Sequence, residues 1–164
     1  MDIYGYSHLH TKYTDGDLDL SKIKELLLNQ GASFAFITEH REYFDAQKYE
    51  KYFQECRQLS DDKIIFVPGL EIAVGRNHIL VLGVEKYYED DSSINLLKRY
   101  KADGNLIIWA HPHRSRYLIT ADVSELLDGI EIWNSSYDTK YFPDLVLYNM
   151  LKRIIKMMDC CLLV

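Results

Sequence analysis

Six histidines stand at positions 8, 10, 40, 78, 111 and 113, each beside a short apolar run. In His8-Leu9-His10 two imidazoles sit two residues apart, a spacing that an extended chain directs to one side, so both rings can bind one metal ion. His111-Pro112-His113-Arg114 places two more imidazoles and a guanidinium directly after LIIWA. Carboxylates accompany them: Asp15 in YTDGD, Glu39 before His40, and Glu71 after Pro68-Gly69-Leu70. Taken singly, most have an ordinary alternative. His8 and His10 read equally as surface or core histidines, Asp15 as the residue of an Asx-turn, and His78 as a satisfied buried imidazole. Arg114 suits a bidentate grip on phosphate or a simple ion pair. Glu71 is the strongest of the set, because a carboxylate just beyond a buried strand needs a partner or a cation to offset its desolvation.

The elements that must position these groups follow from hydrophobic periodicity. The pattern predicts strands at 3–7, 34–38, 64–67, 78–84, 106–110 and 129–133. Helices are expected at 20–30 (closed by Gly31), 45–59, 92–101, 123–127 and 142–158. Strands alternating with helices favour parallel βαβ units, closed as a sheet or a barrel. The three prolines fall at predicted strand ends or a helix start. In such architectures the C-terminal strand ends form one rim where active sites gather. All six histidines lie at or beside predicted strand ends and none inside a predicted helix, a placement that chance accounts for poorly.

A donor set of imidazole and carboxylate without thiolate suits zinc, manganese or iron in an open hydrolytic site. With His8, His10, Asp15, His40, Glu71, His78 and His111 as candidate ligands, more than one ion is expected. No GxSxG, Walker loop or Cys-His arrangement supports nucleophilic serine or cysteine catalysis.

Composition bounds the rest. At 164 residues, 48% hydrophobic and 27% charged, the chain reads as one packed domain spanning 1–164. A net charge of −6 opposes capture of duplex nucleic acid or an anionic membrane and favours a small substrate. Cys56, Cys160 and Cys161 form no CxxC pair, which points to a reducing cytoplasm. No run approaches the ~20 apolar residues that span a bilayer.

The segments SHLHTKYTDG, FITEH, VPGLEI, NHILVLG, AHPHR and IEIWN, in this order, resemble the PHP (polymerase and histidinol phosphatase) family, and within it the short stand-alone metal-dependent phosphoesterases. The resemblance covers residues 1 to about 135 and implies an α/β fold, a distorted TIM-like (β/α)7 barrel. It implies two to three divalent ions, zinc, manganese or iron, that hydrolyse phosphate esters, with a small phosphorylated molecule as substrate. It also implies that His8, His10 and Glu71 hold one ion, with Glu71 bridging to a second on His78 and His111, and Asp15 and His40 holding a third. His113 is then a substrate-contacting or supporting residue, and Arg114 a candidate phosphate ligand.

Two departures stand out. Thr38-Glu39-His40 replaces the family's Thr-Asp-His, lengthening the residue beside a ligand by one methylene. The closing Ser-Asp-x-His is missing, so the barrel is expected to be incomplete at the C-terminus, with two ligands lost. The alternative function is accordingly a truncated metal-binding module with little or no hydrolysis. An open barrel would expose strand edges, and a homo-oligomer is expected. The tail KMMDCCLLV, back-translated, gives Asp-Gly-Leu-Leu in a displaced frame, which suggests a frameshift or truncation after about Lys156.

Overall fold

The structure, a computed structural model, describes residues 3–89, 92–134 and 145–158. Its strands are β1 (Gly5–Leu9), β2 (Phe34–His40), β3 (Ile65–Val74), β4 (Asn77–Leu82), β5 (Leu106–Ala110) and β6 (Gly129–Ile130). The helices are α1 (Leu20–Asn29), α2 (Ala46–Leu59), α3 (Ser93–Ala102), α4 (Ala121–Ser124) and α5 (Leu145–Met158). Two 3₁₀ turns, Arg41–Tyr43 and Pro112–Ser115, follow β2 and β5. The predicted final helix, 142–158, coincides with α5 from 145 to 158; residues 142–144 and the tail 159–164 lie outside the described residues.

Helix boundaries have local causes. The Asp19 carboxylate caps α1 by accepting from the Lys22 amide at 2.9 Å, and Asp45 caps α2 by accepting from Lys48 at 2.7 Å. Apolar positions at helical spacing, Leu20, Ile23 and Leu27 on α1 and Tyr49, Tyr52 and Cys56 on α2, are buried. They join alternate sheet residues, among them Ala35, Ile37, Leu70, Ile72, Ile79, Val81, Ile107 and Trp109, in the main core. The other face of the sheet carries a smaller cluster of Leu80, Leu82 and Ala110, against which Phe36 and Ile108 pack.

The strands pair in the order β1-β2-β3-β4-β5-β6, forming a curled half-barrel. The all-parallel arrangement expected from sequence is corrected here. β1-β2, β2-β3 and β5-β6 are parallel, but β4 runs antiparallel to both β3 and β5. The physical reason lies between Val74 and Asn77: Gly75, at φ +62°, and Arg76 form a turn far too short for a parallel crossover. Described residues thus give six strands with one hairpin, so the architecture is mixed α/β and partly TIM-like.

Two further expectations change. β3 extends seven residues past Val67, to Val74, which puts Glu71 inside a strand rather than beyond one. Pro68 is also internal to β3. Its carbonyl accepts from Gly83 and Val84 at 2.9 Å, so its imide nitrogen faces the place where β4 ends and costs no ladder bond there. At that end of the sheet, away from the histidines, a cavity of about 700 Å³ opens beside Phe36, Val67, Leu82 and Leu106.

Candidate metal centre

The hairpin explains how His78, which opens a strand, joins residues that close theirs. Because β4 is antiparallel, its first residues lie level with the far ends of β2, β3 and β5: His40 pairs with Glu71, and His78 with Ala110. The short turns after β1 and β5 add His10 and His111 at the same rim.

Glu71 stands at the centre, 2% exposed, with both carboxylate oxygens in use. Oε2 lies 3.3 Å from His8 Nε2, 3.1 Å from His10 Nε2 and 3.4 Å from His40 Nδ1. Oε1 lies 3.0 Å from His111 Nε2 and in contact with His78 Nδ1. Burial alone would raise its pKa, yet the imidazoles of His10, His111, His78 and His8 around it overcome this and hold the carboxyl well below the usual range. His8 is likewise desolvated, which lowers its pKa, but Glu131 and Glu71 together push it up to about 9.

Two sets of donor atoms lie close enough to share an ion: His8, Glu71 and His111, and His10, His40 and Glu71. The rings form one continuous cluster, with His8 and His111 stacked at 5.3 Å, His10 and His40 at 4.6 Å, and His78 and His111 at 5.1 Å between centroids. His8 thus stands between His111 and His10: its ring lies 5.3 Å from the first and 5.2 Å from the second, and its Nε2 shares Glu71 Oε2 with His10. Asp15, half exposed, approaches the outer nitrogens of the second pair, at 3.3 Å from both His10 Nδ1 and His40 Nε2.

The donor chemistry fits cations. His10 Nδ1 is buried and makes no hydrogen bond. Arg114 Nη1 donates to His78 Nδ1 at 3.1 Å, so that nitrogen presents a lone pair and cannot also donate to Glu71 Oε1. A lone pair facing a carboxylate oxygen suits a bound cation. His113 stays outside both sets; it is exposed, and its ring packs against Tyr117.

Two carboxylates that the sequence reading left without a role support the rim. Glu39, fully buried, points away from His40 to the opposite face, where Oε1 accepts from the Thr11 amide at 2.9 Å and from the Thr11 hydroxyl. Its Oε2 accepts from the Thr14 hydroxyl, fixing the loop that carries Asp15. Burial pushes the Glu39 carboxyl up, with the Thr11 and Thr14 hydroxyls opposing. Gly16 closes this loop so tightly that a Cβ would collide with the His10 carbonyl group. Glu131, one residue past β6, accepts from His8 and from the His111 amide.

No family model and no curated protein matches the sequence. Solved structures do match. One is a two-domain protein from Bacteroides vulgatus containing a predicted PHP-like metal-dependent phosphoesterase, with TM-score 0.63 and 18% identity over 79% of this chain. The chain spans only 44% of that protein's length. A second is described as a metal-dependent phosphoesterase from Bifidobacterium adolescentis, with TM-score 0.61 and 14% identity over 94% of this chain and 84% of that one. The third is an amidohydrolase from Chromobacterium violaceum holding sulfate and no metal, with TM-score 0.63 and 12% identity over the same shares. The half-barrel with its rim of imidazoles thus has the fold of the PHP-like metal-dependent phosphoesterases.

Proposed function

We propose that this chain hydrolyses phosphate esters of small molecules with the help of two or three divalent ions. The observation that carries the reading is Glu71, a buried carboxylate with imidazoles from five positions around its two oxygens. Ions held by His8, His111, His10, His40 and Glu71 would supply Lewis acidity toward phosphoryl oxygens and make water a nucleophile at neutral pH. The chain's own residues do the rest. Glu71, whose carboxyl the surrounding imidazoles hold well below the usual range, would offset the charge of neighbouring cations. Arg114, beside His78 and reaching the solvent side of the rim, offers a guanidinium to a phosphate oxygen. Asp15 steadies His10 and His40 from the outer side.

Metal analysis of the purified chain, joined to a panel of phosphomonoesters and diesters with zinc, manganese or iron, tests the reading. Turnover dependent on added metal and abolished by Glu71→Gln is expected; turnover unchanged in Glu71→Gln overturns it. A second reading, a metal-binding module without hydrolysis, draws on the donor geometry: among the described residues it yields two sets rather than three. Stoichiometric metal with no turnover on the panel would decide for that reading.

A further inference from the structure

β1 and β6 are the two ends of the strand order, and no backbone pairing joins them among the described residues. Six strands laid flat at the usual spacing would hold their outer members about 24 Å apart. Glu131, just past β6, nevertheless reaches His8 in β1: its Oε1 accepts from His8 Nδ1 at 3.0 Å. Its Oε2 accepts from the His111 backbone amide at 2.6 Å. One carboxylate therefore ties together the first strand, the end of the fifth and the last.

The two residues it holds share a second property. His8 has φ +59° and His111 φ +28°, in a region that side-chain-bearing residues seldom occupy. Such backbones persist where surrounding bonds over-determine them, and here one side chain holds the ring of His8 with one oxygen and the backbone amide of His111 with the other. Asn134 Nδ2, 3.1 Å from Glu131 Oε1, helps orient the carboxylate.

We propose that Glu131 is the positioning residue of the centre, a clasp that closes the rim between β1 and β6 and sets both ring orientation and tautomer of the His8–His111 pair. By accepting from Nδ1, it keeps one ring proton of His8 there, so that Nε2, the nitrogen facing Glu71, is the one that would give up its proton to an ion. With both oxygens committed, Glu131 is itself no ligand. This inference rests on reading His8 and His111 as metal ligands.

The test compares the full chain with Glu131→Gln and Glu131→Ala in two measurements. One is zinc affinity by competition with a chromophoric chelator; the other is exchange of the His111 amide proton in the metal-free chain by NMR. Glutamine can still accept from the His111 amide but turns an amide N–H toward His8, forcing the ring proton to Nε2. Expected results are a 10- to 100-fold weaker zinc affinity with a protected His111 amide in Glu131→Gln, and loss of both in Glu131→Ala. Equal zinc affinity in all three chains, or an unprotected His111 amide in the parent, overturns the proposal. A parent that binds no zinc, with amide protection lost only in Glu131→Ala, overturns the metal reading and upholds the clasp.

Discussion

Glu39 and His40 are consecutive in β2 yet serve opposite faces of the sheet, His40 turning to Glu71 and Glu39 to Thr11 and Thr14. The extra methylene relative to aspartate therefore lengthens a brace under the Asp15 loop and leaves the imidazole alone. Truncating that brace leaves the Thr11 amide and two hydroxyls without their acceptor. Glu39→Ala should cost about 3 kcal/mol, read as a lower urea midpoint, while Glu39→Gln should cost less than half of that.

Gly16 presses on the backbone of His10 with no room for a methyl group. Gly16→Ala should shift the 11–16 loop and weaken zinc binding at least tenfold, with far-ultraviolet circular dichroism unchanged. Affinity within twofold of the parent would mean that the loop yields without moving His10 or Asp15.

Divalent ions that bind only the folded chain stabilise it by mass action. Zinc or manganese at 100 times Kd should add about 2.7 kcal/mol and raise Tm by about 5–10 °C. Thermal scans with and without EDTA check this, and His8→Ala or His111→Ala should lose most of the increment.

Burial pushes the Cys56 thiol and the Tyr100 phenol up to about 12, from ordinary values of 9.0 and 10.0. Both groups hold their protons more tightly folded than unfolded, so their contribution is complete below pH 9 and is lost as pH rises toward 12. Urea midpoints should fall across that window. With Cys160 and Cys161 replaced by serine, Cys56 should react with a thiol reagent at pH 8 only as fast as the chain opens.

Much of the centre was legible because imidazoles beside short apolar runs can be read residue by residue: His8, His10, His40, His78, His111, Asp15 and Glu71 do meet at one rim. What escaped was relational. Gly75-Arg76 sits between two apolar runs that each look like a parallel strand, and only the pairing shows that β4 reverses. The β6 pairing covers just Gly129 and Ile130, too short for periodicity to show which way Glu131 points. Glu39 looked like an imperfect neighbour of a ligand, since nothing local to β2 announces Thr11 as its partner.

The β3–β4 hairpin also sets an order of assembly. Glu71 and His78 are seven residues apart, so their contact closes a small loop at little entropic cost, on the microsecond scale of hairpin formation. Glu131 and His8 are 123 residues apart, and their contact must wait until every intervening strand has docked. The nucleus of the centre is thus local and early, and its final lock joins the two ends of the strand order.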